Sequence, residues 1–216
     1  MKLEDFNAFV HEKQNLCTSV LEKKAVEYGS ETDILDSFKR PGILTGNAPD
    51  AVWLGFWSKG IISLFNHISA KEPVPDELII DSINYLYLLY ALLKTNGKPC
   101  DFKSFEGFVK DAFAHCEDVL VTKGSRYCKT GEDRLSSFKI AAEIEFTTPE
   151  DVLGSYMVKH TDSIIRLIRN GTDKNDPIWI EKIGDHINYL FLLWALENDS
   201  YQEKKPEISE SEMLAL

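Results

Sequence analysis

Glu77-Leu78-Ile79-Ile80-Asp81-Ser82-Ile83-Asn84-Tyr85-Leu86-Tyr87-Leu88-Leu89-Tyr90-Ala91-Leu92 recurs further along the chain as Glu181-Lys182-Ile183-Gly184-Asp185-His186-Ile187-Asn188-Tyr189-Leu190-Phe191-Leu192-Leu193-Trp194-Ala195-Leu196. Both copies are apolar almost all round, so each reads as a helix that needs packing partners on several sides. Both also carry the same polar stripe of acid, acid and amide at i, i+4 and i+7, which falls on one helix face.

The correspondence extends upstream. Phe6-Asn7-Ala8-Phe9-Val10 matches Phe105-Glu106-Gly107-Phe108-Val109, and Cys17, Leu21, Lys24 and Tyr28 match Cys116, Leu120, Lys123 and Tyr127. Leu35-Asp36-Ser37-Phe38-Lys39 matches Leu135-Ser136-Ser137-Phe138-Lys139, and Pro49, Val52, Phe56, Lys59 and Ser63 match Pro149, Val152, Tyr156, Lys159 and Ser163. Self-similarity over so many positions predicts a tandem duplication. The boundaries read as a first repeat over 1–97, a second over 98–201, and a disordered acidic tail over 202–216. Asn96-Gly97 followed by Pro99 is the break between the repeats.

Apolar positions within each repeat follow helical spacing, and no segment alternates as a strand would. Thr148-Pro149-Glu150-Asp151 offers a hydroxyl cap, a proline in the first turn and acids at the positive end of the helix dipole. Pro49, Pro75 and Pro177 mark further starts. The expected fold is therefore all-α: two tandem copies of a roughly four-helix unit (long helix, short helical turn near Leu35 or Leu135, third helix, apolar fourth helix) packed as a pseudo-twofold bundle.

Thirty-five acidic against 24 basic residues give a formal net charge of −11. That balance repels nucleic-acid backbones and anionic membrane surfaces, so neither polymeric nucleic acid nor a membrane is the expected partner. A small phosphorylated ligand needs only a few local cations and is compatible with it. The start of the chain lacks the basic and apolar regions of a secretion signal, which points to the cytoplasm. The apolar run Tyr85 to Leu93 is shorter than the roughly 20 residues a membrane span needs. Cys17, Cys100, Cys116 and Cys128 show no metal-ligand spacing and read as reduced thiols.

The polar stripes are the candidate sites. A carboxylate in a greasy helix requires a cation, several donors or a metal ion. Lys59 and Lys159 on the third helices are the expected cations for Asp81 and Asp185. Lys24 and Lys123, with Tyr28 and Tyr127 one turn later, would add a second cation and a stacking face, and Asn84 and Asn188 would contact phosphate or base. Glu77 with Asp81, and Glu181 with Asp185, are the candidate Mg²⁺ ligands. Against this stands the plainer reading of a Lys–Asp pair that fixes helix register. Trp53, Trp57, Trp179 and Trp194 are unmatched between repeats and read as packing or as contacts between the halves. His160 and His186 face Gly60 and Ser82 in the alignment and lie outside the repeated constellation. Neither an activated serine turn nor a phosphate-cradling glycine loop is present.

Lys24-x-x-Glu27-Tyr28-Gly29, Phe38, Lys59 and Asp81-x-x-Asn84-Tyr85, repeated as Tyr127, Phe138, Lys159-His160 and Asp185-x-x-Asn188-Tyr189, resemble the nucleotide-modification-associated domain family, the first of that name, found mainly in phages. The resemblance covers nearly all of both repeats. It implies a helical domain tied to phage nucleotide metabolism, working in the cytoplasm of an infected bacterial host. It brings no established reaction. The Glu–Asp pairs also look like half of the metal site of all-α nucleoside triphosphate pyrophosphohydrolases, although the second acidic pair such a site needs is replaced here by Lys59 and Lys159. Three readings follow: binding of a phosphorylated nucleotide, in metabolism or to sequester a host signal; Mg²⁺-dependent pyrophosphohydrolysis; and a non-catalytic interaction module. Further homo-oligomerisation stays open.

Overall fold

The computed structural model describes residues 1–30 and 32–204, apart from the side chains of residues 26, 125–127 and 200–204. Among the described residues eight helices follow one another: α1 (Leu3–Tyr28), α2 (Asp36–Thr45), α3 (Pro49–Ala70), α4 (Asp76–Thr95), α5 (Phe102–Tyr127), α6 (Ser136–Glu145), α7 (Pro149–Arg169) and α8 (Ile178–Lys204). The fold is all-α, and the described residues contain no strand.

Local chemistry sets the ends. Thr148 accepts a hydrogen bond from the Asp151 backbone N–H at 3.2 Å, with Pro149 opening α7. Asp101 caps α5 by accepting from the Ser104 N–H at 2.7 Å. α4 stops at Asn96 (φ 47°) followed by Gly97 (φ 83°), both left-handed, a backbone region that asparagine and glycine enter more cheaply than other residues. The short helical turns expected near Leu35 and Leu135 are helical and run to 10 residues each, α2 and α6. α8 carries on through Lys204, so the first three residues of the tail expected from Gln202 are helical; the rest of that expectation, residues 205–216, lies outside the described residues.

Within the first half α4 packs on α1 and α3, and within the second α8 packs on α5 and α7. Between the halves α4 lies on α8, α3 on α7, α4 on α5, and α1 on α8. Exchanging the halves maps these helix pairs onto one another. The apolar faces of α4 and α8 thus find the several-sided cover their sequences require: Ile79, Ile83, Leu86 and Leu89 on α4, and Ile183, Ile187, Leu190 and Leu193 on α8, are all fully buried. α4 is long and apolar enough to cross a membrane, but 67% of that stretch is buried inside the protein, as in a core helix.

Each half also closes the other's loop between its first two helices. Ile34 N donates to Cys100 O at 3.0 Å, and Arg134 N to Met1 O at 2.9 Å. Asp33 accepts from Cys100 N at 3.1 Å, and Asp133 from the Met1 amino group at 2.9 Å. The tryptophans act as expected. Trp53 stacks on Trp57 at 5.0 Å, Trp57 meets His186 of α8 edge-on at 5.6 Å, and Trp194 Nε1 reaches Asp76 Oδ1 in the other half at 2.9 Å.

Candidate functional site

α1 and α4 run side by side so that Cys17 meets Asn84 and Lys24 meets Asp81: seven residues along α1 correspond to three back along α4, an antiparallel seam. Asn84 Nδ2 donates to Cys17 O at 3.1 Å and Lys24 Nζ to Asp81 Oδ1 at 2.6 Å. α5 and α8 repeat the seam, with Asn188 Nδ2 on Cys116 O at 3.1 Å and Lys123 Nζ on Asp185 Oδ1 at 2.9 Å.

A cavity opens beside each seam. The first, of about 340 Å³, is lined by Leu21, Lys24, Ala25, Tyr28, Ile34, Ser37, Phe38, Phe56, Asp81, Asn84, Tyr85 and Leu88. The second, of about 420 Å³, is lined by Val119, Leu120, Lys123, Arg134, Ser137, Phe138, Tyr156, Asp185, Asn188, Tyr189 and Leu192. Leucine, lysine, serine, phenylalanine, aspartate, asparagine and tyrosine recur at aligned positions in both. The aromatic walls are built alike, with Phe38 edge-on to Phe56 at 6.0 Å and to Tyr85 at 6.4 Å, and Phe138 beside Tyr156 at 6.4 Å, which in turn neighbours Tyr189 at 6.3 Å. Both volumes fall in the range of about 300–1,000 Å³ typical of small-molecule sites.

The polar groups differ in solvation. In the first cavity the Lys24 and Asp81 side chains are 45% and 40% exposed, so their pairing is screened and weak; in the second Asp185 is only 13% exposed. His160 Nδ1 comes within 3.9 Å of Asp185, too far for a hydrogen bond, and its ring lies over Tyr189 at 4.8 Å. Burial pushes the His160 imidazole down despite the opposing pull of Asp185. Burial and the neighbouring Asp81 carboxylate push the Tyr85 hydroxyl up. Both asparagines are buried, and the Oδ1 of each has no hydrogen-bond partner.

The expected residues divide as follows. Lys24, Tyr28, Asp81 and Asn84 line the first cavity, and Lys123, Asp185 and Asn188 the second. Lys59 and Lys159 are exposed and line neither cavity. The cation expected from the third helix comes instead from the first, because the polar stripe of α4 and α8 lies in the seam with α1 and α5. Glu77 and Glu181 are likewise exposed and outside the cavities, and Glu181 pairs with Lys182 at 2.6 Å. Each glutamate thus stands outside the cavity that its aspartate lines, and among the described residues there is no group of three or more His, Cys, Asp and Glu side chains placed to hold a metal ion. The Tyr127 side chain lies outside the described residues. Ser37, Ser137, Phe56, Tyr156 and Arg134 line the cavities without having been expected there. The first four stand at matched positions, and that was their signal; Arg134 aligns with Ile34 and is invisible to any reading that looks for what repeats.

Comparison with known proteins gives no match to a family model, a curated protein or a solved structure.

Proposed function

We propose that the protein binds a small phosphorylated nucleotide in one or both of these cavities. The observation that carries this reading is the recurrence of one lining at two places: an aromatic wall for a planar base, a lysine with its aspartate, a serine hydroxyl, and an asparagine whose carbonyl oxygen lacks a donor. A base stacked on Tyr or Phe gains affinity from its face, while a few placed polar groups set its orientation. An unpaired buried amide oxygen costs about 1–3 kcal/mol, which a ligand N–H reaching it would offset. The internal duplication belongs to this proposal, as does the kinship with the phage nucleotide-modification-associated family. Mg²⁺-dependent hydrolysis is the less supported reading, because each aspartate is engaged by lysine and the glutamates line neither cavity.

A thermal-shift and calorimetry panel of nucleosides and of nucleoside mono-, di-, tri- and cyclic phosphates, with and without Mg²⁺, tests it. A ligand present at a hundredfold its Kd should stabilise the fold by about 2.7 kcal/mol. Lys24→Met combined with Lys123→Met should abolish that gain while leaving the unliganded protein folded. If no compound in the panel shifts the transition, the proposal fails.

A further inference from the structure

Arg134 separates the two cavities. It lines the second one, is only 7% exposed, and its Nε has no hydrogen-bond partner. No carboxylate among the described residues pairs with it; its guanidinium lies over the Phe6 ring at 5.4 Å instead. A cation sequestered this far from water normally has a counter-ion, since desolvating it unpaired is costly. Lys123 in the same cavity is already held by Asp185 at 2.9 Å, so among the described lining groups the arginine's charge is the uncompensated one.

The first cavity has no such group. Ile34 stands where Arg134 does, and Lys24 with Asp81 leaves the described lining neutral. A second substitution accompanies the first: Gly124, beneath the guanidinium, aligns with Ala25. A methyl group at 124 would sit 3.6 Å from Arg134 Nε, in van der Waals contact, so the glycine leaves space around the arginine that the first half fills with a methyl.

We propose that Arg134 makes the second cavity an anion site, taking the phosphoryl group of a ligand in a planar, multi-donor grip, while the first cavity takes an uncharged planar ligand. Guanidinium suits this role because its fixed fork of N–H donors matches phosphate oxygens in pairs. The proposal rests on reading both cavities as ligand sites, and it assigns their ligands to different charge classes.

Inorganic pyrophosphate, which carries no base, isolates the anion step. Titrated calorimetrically into the full chain, it should bind one equivalent. Arg134→Ile, which installs the residue of the other half, should weaken that binding at least tenfold, and Arg134→Lys should retain part of it. The reciprocal Ala25→Gly/Ile34→Arg variant, with Arg134 intact, should bind two equivalents; this gain decides the matter even if Arg134→Ile folds poorly. Unchanged binding in Arg134→Ile, no pyrophosphate binding in the native protein, or a stoichiometry that stays at one in the reciprocal variant would each overturn the proposal. If pyrophosphate binds through Arg134 while no nucleoside or nucleotide binds at all, the anion site stands and the nucleotide reading falls. If nucleotides bind Arg134→Ile as well as they bind the native chain, the reverse holds.

Discussion

Asn84 and Cys17 are joined by one hydrogen bond of 3.1 Å across the α1–α4 seam, and Asn188 and Cys116 by another of 3.1 Å across α5–α8. In both the amide spends its N–H on a carbonyl and leaves its own oxygen buried and unpaired. Replacing the amide by a carboxylate should then be worse than deleting it. Asn84→Asp places a charge against a backbone carbonyl with no donor to meet it, and should cost about 3 kcal/mol or more, whereas Asn84→Ala should cost about 1–2 kcal/mol. Urea unfolding of the two variants measures the difference. Equal losses would show that the seam tolerates charge.

The two lysine–aspartate pairs should not be equivalent in stability. Lys24→Met leaves behind a carboxylate that is 40% exposed and should cost at most about 0.5 kcal/mol, while Lys123→Met strands one that is 13% exposed and should cost about 1–2 kcal/mol. Thermal or chemical denaturation at low salt would show the order, and the gap should widen as added salt screens the more exposed pair.

His186 sits fully buried against Trp57 with neither ring nitrogen bonded, and burial, helped by nearby His160, lowers its pKa from 6.5 to about 3. The folded value lies below the unfolded one, so the unfolded chain takes up the proton first. Its contribution is fully present above pH ~6.5 and is lost as pH falls towards ~3, at about 1.4 kcal/mol per pH unit. His186→Phe should flatten the stability profile between pH 4 and 6.5. A profile with the same slope in the variant would assign the acid sensitivity to other groups.

Thiol reagents should leave the folded protein untouched at neutral pH. All four cysteines are buried and free, and burial raises Cys17 to about 12 and Cys100 to about 11. Reaction should follow unfolding, with native labelling far slower than in denaturant. Rapid labelling of one cysteine in the native state would reveal a local opening.

Trp194 Nε1 bonds Asp76 Oδ1 from the opposite half at 2.9 Å. Trp194→Phe keeps the apolar contact with Phe9 and removes this bond, and should cost about 1 kcal/mol. No change in the urea midpoint would mean that packing alone holds the halves at this point.

Periodicity and punctuation made the helices legible. Continuous apolar runs specified α4 and α8, proline and hydroxyl caps located α3 and α7, and Asn96-Gly97 located the stop between the halves, because these signals act within a few residues. The internal alignment also found Lys24, Tyr28, Asp81, Asn84, Lys123, Asp185 and Asn188, which do line the cavities. It assigned the cation for each aspartate wrongly, since helical spacing shows which residues share a face but not which neighbouring helix that face meets.

The sequence by itself determined an all-helical chain whose halves place the same polar stripe on the same buried helix, because hydrophobic period and turn chemistry are local properties. Only the tertiary structure decided that α1 and α5 lie along those stripes, that Lys59, Lys159, Glu77 and Glu181 turn to solvent, and that Arg134 is buried beside one cavity with no described carboxylate to balance it. Such facts depend on which surfaces meet across tens of residues, and on how much water each charge keeps when they do.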